Sequence, residues 1–153
     1  MIRPATAEDH GRLIEIWRDA VTATHDFLDG GEIDALEADV RQWLTTAPEV
    51  LVSTDGEGVQ GFIGMDGAVV DALFVAPEAH RQGHGRALLA AVADRAPLRL
   101  DVNEANPRAV TYYERMGFTR TGRSPQDSAG RPYPVLHMRG PAPICGVGEE
   151  QEP

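Results

Sequence analysis

The chain has 153 residues, of which 42% are apolar and 25% are charged, a size and composition typical of one globular domain. No run reaches the roughly 18 apolar residues that cross a bilayer, and the N-terminus has no signal or transit pattern, so we predict a cytoplasmic protein with no membrane role. The formal net charge of -10 opposes binding to nucleic acid, and the single cysteine, Cys145, can form no internal disulfide.

The first half of the chain alternates between helical and strand patterns. Thr6 followed by Asp9 resembles a helix N-cap with an acidic first turn. The predicted elements, in chain order, are a strand at 2–4, a helix to about 23, a loop at 24–31, an amphipathic helix that ends near 47–48, and strands at 50–53, 61–65 and 69–75. The last strand is almost wholly apolar, which predicts cover on both faces, and its single carboxylate, Asp71, stands out.

The second half begins with a glycine-containing loop and a helix, and a strand at 98–102 then completes a βαβ unit. Asn106 and Pro107 form a good helix start, and Gly117 ends that helix. Strands near 118–122 and 135–138 close a single domain at 1–139. Residues 140–153 are rich in Pro, Gly and Glu and have no apolar periodicity, which predicts a disordered acidic tail.

The loop at 80–86 has the chemistry of an anion site. Backbone N–H groups that enter a helix N-terminus attract a phosphate, and Gly83 and Gly85 allow its close approach. Cationic and imidazole side chains reverse the acidic charge of the chain locally. A Walker A loop is absent from the sequence, and the dinucleotide fingerprint matches only in part, because Leu88 replaces its third glycine. The two glycines could equally mark no more than a helix entry.

Two segments carry a family resemblance. Residues 75–89 resemble motif A of the GNAT (GCN5-related N-acetyltransferase) superfamily, Gln/Arg-x-x-Gly-x-Gly/Ala after a strand, with His80 at the Gln/Arg position. Residues 103–118 are similar to its second signature, Asn-x-x-Ala-x-x-Phe-Tyr-x-x-x-Gly-Phe. Within the superfamily, residues 23–28 and 130–136 resemble the bacterial YjaB-type acetyltransferases. The resemblance covers residues 1–139 and implies an α/β (α+β) fold: a mixed, mostly antiparallel sheet of six to seven strands, a central βαβ unit and about four helices on both faces.

The resemblance also implies acetyl-CoA as co-substrate, and we predict no metal because His84 and His137 have no neighbours at metal-ligand spacing. It places pantetheine along the strand edge where residues 73–75 splay from 98–102, and the pyrophosphate at the loop. The implied cofactor-binding residues are Leu73, Phe74, Val75, Arg81, Gln82, Gly83, His84, Gly85, Arg86 and Asn106.

Chemistry requires an acid for the departing thiolate and a base for the amine. Tyr113 matches the family tyrosine and is the predicted acid. For the base we prefer Asp101 over Asp71, although either carboxylate could instead position a cationic amine and solvent could deliver the base. The predicted acceptor-site residues are His25, Asp26, Asp71, Asn103 and Tyr133.

The predicted function is acetyl transfer from acetyl-CoA to a primary amine by direct attack in a ternary complex. The amine could belong to a protein lysine, an N-terminus or a small molecule. The alternative is a noncatalytic CoA-binding sensor or interaction module on the same fold, and dinucleotide binding is a distant third. The sequence is compatible with a monomer or a homodimer.

Overall fold

The computed structural model describes residues 1–24, 30–127 and 130–140. Short 3-10 turns precede α1 and α3 and follow α3. The elements in chain order are β1 (Ile2–Pro4), α1 (His10–Thr24), α2 (Gly30–Thr46), β2 (Glu49–Asp55), β3 (Gly58–Asp66), β4 (Val69–Val75), α3 (His84–Ala91), β5 (Leu98–Asn103), α4 (Pro107–Arg115), β6 (Thr119–Ser124) and β7 (Val135–Gly140).

The seven strands of the described residues form one sheet in the order β1-β2-β3-β4-β5-β7-β6. Every neighbouring pair is antiparallel except β4 and β5, which are parallel and are joined by α3. The predicted mixed, mostly antiparallel sheet with a central βαβ unit is therefore confirmed. The topology places β4 and β5 at the centre of the sheet.

Local hydrogen bonds explain where two helical segments begin. The Asp9 carboxylate accepts from the backbone N of Thr6 at 2.8 Å and from the Arg3 guanidinium at 2.8 and 3.0 Å. The Arg3 hydrogen bond, helped by Thr6, holds the pKa of Asp9 well below its ordinary value. At α4, Oδ1 of Asn106 accepts from the N of Ala109 at 3.2 Å, and a proline occupies the first helical position, as predicted.

Helices cover both faces of the sheet. On one face α1 and α2 pack through a core that includes Leu13 and Phe62, and on the other α3 and α4 pack through a core that includes Leu88 and Val110. Of the four described α-helices, two thus lie on each side. Contact between ligands on opposite sides therefore requires an opening through the sheet.

That opening forms because the two parallel strands separate. Val69 pairs with Arg99 and Val70 with Leu100, and within the described residues no later part of β4 pairs with β5. The remainder of β4 therefore presents an unpaired backbone edge toward β5. The predicted splay between these strands is confirmed.

A β-bulge in β4 adds to the opening. Ala72 lies opposite Gly64 of β3, but Val70 lies opposite Met65, so Asp71 is the extra residue of the bulge. Asp71 is exposed, and the prediction that this strand is covered on both faces is wrong at this residue. A bulge re-aims a side chain, and here it turns a carboxylate out of the regular alternation of an apolar strand.

Element ends depart from the predictions at several points. α2 begins at Gly30, inside the predicted loop at 24–31, and residues 25–29 of that loop lie outside the described residues. β7 continues to Gly140, one residue past the predicted domain boundary, because it still pairs with Leu98 there. Residues 141–153, most of the predicted tail, lie outside the described residues. None of the described helices is long and apolar enough to span a membrane.

Candidate active site

A cavity of about 140 Å³ lies at the splay between β4 and β5. Its walls come mainly from β4, β5 and α4, which are distant in sequence, and Ala20 of α1 adds to them. The polar side chains that line it belong to five predicted site residues: Asp71, Asp101, Asn103, Asn106 and Tyr113. The structure therefore brings together both predicted catalytic residues and both candidate bases.

Tyr113 is buried, with 7% of its surface exposed, as its position on the inner face of α4 predicted. Its ring makes edge-to-face contacts with Tyr112 and Phe118, each at a centroid distance of 5.5 Å. Within the described residues its hydroxyl has no hydrogen-bond partner, and it borders the cavity. Burial raises the pKa of Tyr113 above its ordinary value, so the phenol stays protonated and can donate a proton.

Asp71 occupies the bulge and lines the cavity from β4. Burial, followed by repulsion from Asp66, raises the pKa of Asp71 above its ordinary value. The ionised form of this carboxylate is thus less stable here than in water, and a nearby cation or protonation would stabilise the group. Either role, amine binding or proton acceptance, fits this position.

Asp101 faces the same cavity from β5 and has a partner that the sequence analysis did not identify. Its Oδ1 lies 2.6 Å from Nδ1 of His137 on β7, and Nε2 of that ring lies 2.7 Å from Oγ of Ser124 on β6. The strand register places His137 directly opposite Asp101. The sequence analysis found no role for His137, because the pairing of β5 with β7 is not readable from either segment alone.

A second cavity of about 390 Å³ lies on the other side of β4, beneath α1 and α2. It shares Asp71, Ala72, Phe74 and Asn103 with the smaller one. Aromatic rings and charged groups line the rest, among them Trp17, Trp43, Phe62, Tyr133, Asp39, Asp127 and Arg131. The two cavities meet at the splay, so the opening joins the two faces of the sheet.

The wall of the larger cavity is held together by contacts between α2 and the β6–β7 connection. The Tyr133 hydroxyl donates to Glu32, and the Arg131 guanidinium donates to Asp39. Tyr133 is thereby placed at this cavity, where the sequence analysis predicted an acceptor-site residue. These contacts tie a late loop to an early helix.

The loop at 80–86 has the backbone of an anion-binding concavity. Arg81 and Gly83 both have left-handed φ angles, 66° and 85°, and α3 begins at the next residue. The side chains of Arg81 and Gln82 are exposed, whereas Gly85 is buried at the helix start. A Cβ built on Gly83 would meet nothing within 4 Å, so the space beside the loop is open. The geometry suits a phosphate at this helix end.

Two imidazoles near this loop are turned inward. His84 has only 6% of its surface exposed, and its Nδ1 lies 2.7 Å from Oγ of Ser53 on β2. His84 could therefore contact an anion through its backbone N–H rather than its ring. His80, at the position of the family's Gln or Arg, directs Nε2 toward the Val75 carbonyl at 3.3 Å.

Of the remaining predicted residues, Arg86 lies half-buried in the first turn of α3, and the others fall in two groups. Leu73 and Phe74 line the smaller cavity, while Val75 is fully buried at the end of β4. His25 and Asp26 lie outside the described residues. Among the described residues no group of three or more His, Cys, Asp or Glu could hold a metal ion.

Comparison with known proteins places these features in a family. A family model described as an acetyltransferase (GNAT) domain matches residues 32–139. The chain is 42% identical over 138 residues to peptidyl-lysine N-acetyltransferase YjaB of Salmonella typhimurium, covering 90% of this chain and 95% of that protein. The Escherichia coli protein of the same name is 39% identical over 138 residues, covering 90% and 94%.

Solved structures agree. The apo-form YjaB solution structure from Escherichia coli matches with a TM-score of 0.83 and 39% identity, over 91% of this chain and 95% of that one. The structure of yncA from Salmonella typhimurium, solved with its cofactor acetyl-CoA, matches with a TM-score of 0.63 over 97% of each chain. At 22% identity, that second match concerns the fold alone.

Proposed function

The chain belongs to the GNAT superfamily of acetyltransferases, and we propose that the acceptor of its acetyl group is the side-chain amine of a lysine in a peptide or protein. Its activity is acetyl-CoA-dependent transfer to a primary amine. The relatives named peptidyl-lysine N-acetyltransferase support a lysine acceptor. The observation that carries the proposal is the pair of cavities that meet at Asp71.

The donor side of the site uses the α3 face of the sheet. The residues present fit a CoA molecule: the concavity at Arg81 to Gly83 suits its pyrophosphate, and the unpaired edge of β4 offers hydrogen-bonding groups to its pantetheine amides. Acetyl-CoA, when bound, supplies an activated acetyl group on a thiol that leaves readily. The arm that reaches the splay would end beside Tyr113.

The acceptor side uses the larger cavity. A lysine has a long apolar stem and a cationic tip, and this cavity offers aromatic walls from Trp17, Trp43 and Phe74 with a carboxylate, Asp71, where it joins the donor side. Asp71 is our candidate for holding the incoming ammonium, because a nearby cation would offset the partial desolvation and the repulsion from Asp66 that raise its pKa. The stem would be desolvated while the nitrogen is delivered to the splay.

Each chemical role then falls to one residue at the splay. Asp101 accepts a proton from the acceptor nitrogen, which frees its lone pair to form the N–C bond to the acetyl carbonyl carbon. The C–S bond breaks, and Tyr113 gives its proton to the departing sulfur. The nitrogen then loses its second proton and Tyr113 regains one, both through solvent, and Asp101 releases the proton that it accepted. The net products are the amide, the free thiol and one proton from the ammonium.

The experiment compares three acceptors: a peptide with one lysine and a blocked N-terminus, a peptide of the same sequence in which the lysine is replaced and the N-terminus is free, and a small alkyl amine. Thiol release measures turnover, and mass spectrometry locates the acetyl group. We expect transfer to the lysine peptide. Asp71→Asn should raise KM for this peptide at least tenfold and leave KM for acetyl-CoA unchanged. The exposed Asp94, which lines neither cavity, provides the matched control Asp94→Asn.

Two outcomes would overturn the proposal. Faster transfer to the lysine-free peptide or to the small amine would assign a different acceptor class. Acetyl-CoA binding measured by calorimetry, with no thiol release on any of the three amines, would favour a noncatalytic CoA sensor.

A further inference from the structure

Three side chains form a hydrogen-bond chain that crosses the sheet surface away from the splay. Asp101, His137 and Ser124 lie on three strands that are neighbours in space, β5, β7 and β6, and consecutive side chains are 2.6 and 2.7 Å apart. The first of them lines the smaller cavity together with Tyr113. The chain therefore links the candidate proton acceptor to two residues outside both known signature segments.

The two short distances define the donors and acceptors. An ionised carboxylate can only accept, so the proton between Asp101 and His137 belongs to Nδ1 of the ring. In the neutral ring Nε2 is then an acceptor, and the Ser124 hydroxyl donates to it. Within the described residues the other carboxylate oxygen, Oδ2 of Asp101, has no hydrogen-bond partner. One carboxylate oxygen is thus anchored and the other is available.

We propose that Ser124 and His137 are positioning residues that hold Asp101 with its free oxygen directed at the acceptor amine. The inference rests on the proposed function, in which Asp101 accepts the amine proton. The need for positioning follows from exposure: 48% of the Asp101 side chain and 37% of the His137 side chain are accessible to solvent. A carboxylate this exposed would otherwise populate several rotamers, and most would carry its oxygens away from the splay.

The hydrogen-bond chain also bears on which carboxylate oxygen of Asp101 receives the proton. With Nδ1–H donated to Oδ1, Oδ2 is the oxygen without a hydrogen-bond partner within the described residues, and in the proposed step it receives the incoming proton while His137 neither gains nor loses one. The Asp101 carboxylate, which can only accept, selects the Nδ1-protonated ring, and the Ser124 hydroxyl then donates to Nε2 and holds the orientation of the ring. A hydrogen-bond partner that orients the base is a common requirement of proton-transfer sites.

A purely structural role predicts something different. Opposed side chains on adjacent strands contribute modestly to sheet stability, and if that were their only role, their loss would lower Tm and leave kcat per folded molecule unchanged. Amide replacements separate the two roles. In His137→Asn the amide N–H can reach the position of Nδ1 and keep the bond to Asp101, whereas in His137→Gln it lies nearer the position of Nε2.

The experiment measures kcat, KM for acetyl-CoA and Tm for His137→Phe, His137→Asn, His137→Gln and Ser124→Ala on the lysine peptide. We expect kcat to fall about tenfold in His137→Phe and His137→Gln, to fall less than threefold in His137→Asn, and to fall severalfold in Ser124→Ala, with KM for acetyl-CoA unchanged throughout. His10 lies at the start of α1 and lines neither cavity, so His10→Phe is the matched control.

Asp101→Asn distinguishes the role of Asp101 as proton acceptor from the positioning role of His137 and Ser124. If Asp101→Asn lowers kcat at least 100-fold while His137→Phe keeps the wild-type kcat, Asp101 acts without help from His137 and Ser124 and the positioning inference is wrong. If Asp101→Asn retains wild-type kcat, the proton acceptor is a different group, so the roles given to Asp101, His137 and Ser124 are wrong, whereas the lysine acceptor is tested separately by the peptide comparison. If the double variant Asp101→Asn/His137→Phe loses no more than Asp101→Asn alone, the two residues act as one unit, as we infer. Long-range ¹H–¹⁵N spectra should show the Nδ1-protonated ring in the wild type, and the opposite tautomer would overturn the inference.

Discussion

Replacing Tyr113 by Phe removes one oxygen atom and tests the acid directly. The ring is retained, so its edge-to-face contacts with Tyr112 and Phe118 should persist. Loss of a general acid slows a reaction typically 10²- to 10⁴-fold, and a thiolate leaves more readily than an amine or alkoxide. We therefore expect kcat to fall about 100-fold, which corresponds to about 2.7 kcal/mol of transition-state stabilisation.

The same substitution has an unusual expected effect on stability. The Tyr113 hydroxyl has no hydrogen-bond partner within the described residues, so removing it leaves no donor or acceptor orphaned. The Tm of Tyr113→Phe should equal or exceed that of the wild type. Tyr113→Ala, by contrast, would leave a ring-sized cavity in the core and should cost about 3–5 kcal/mol of unfolding free energy.

The assay is thiol release at saturating acetyl-CoA, paired with calorimetric melting of each variant. Because burial raises the pKa of Tyr113, the wild-type enzyme should lose no activity to phenol ionisation up to about pH 10. A Tyr113→Phe enzyme with wild-type kcat would remove the residue from the mechanism. A Tm lowered by several degrees would instead mean that the Tyr113 hydroxyl stabilises the fold, which would contradict its lack of a hydrogen-bond partner within the described residues.

Three further predictions concern the loop, the acceptor cavity and the N-terminal turn. Gly83→Ala should raise KM for acetyl-CoA severalfold at unchanged kcat, because the new Cβ enters the open space beside the loop. The control is Gly67→Ala, also at a glycine with left-handed φ and open space, which should have the same Tm as Gly83→Ala and an unchanged KM. Gly64→Ala should destabilise by about 1–3 kcal/mol, measured by urea unfolding, because a Cβ there overlaps the Trp43 ring. Its arginine partner holds the pKa of Asp9 below the ordinary value, so the ionised carboxylate stabilises the fold above about pH 4, and this stabilisation is lost as the pH falls through the pKa of the folded state. Asp9→Asn should therefore cost about 1–2 kcal/mol of unfolding free energy at pH 7 and little in strong acid.

Much of the fold follows from sequence pattern alone. The apolar run at 69–75 gave the exact bounds of β4, and the pair Asn106-Pro107 located the start of α4. Local signals of this kind depend on a few adjacent residues, so they can be read without knowledge of the tertiary contacts. The placement of Tyr113 on the inner face of α4 followed from the same helical periodicity.

Other features depend on partners that are distant in the chain. The bulge at Asp71 is invisible in the sequence because an almost continuous apolar run has no alternation to interrupt. Likewise, His137 meets Asp101 only through the register of two strands that are 36 residues apart. The inward turn of His84 toward Ser53 also depends on how α3 packs on β2. In each case the missing information is a register or a packing angle.

The gap in the β4–β5 ladder also bears on how large an acceptor can be. Since the larger cavity lies beneath α1 and α2 and the anion-binding loop lies at the start of α3, the body of an acceptor in the proposed arrangement does not share space with the nucleotide part of CoA. Only a thin, extended arm with an amine at its tip needs to enter the protein. A folded protein could thus be modified at an exposed lysine while its own structure stays intact, and each product could withdraw from its own side without waiting for the other.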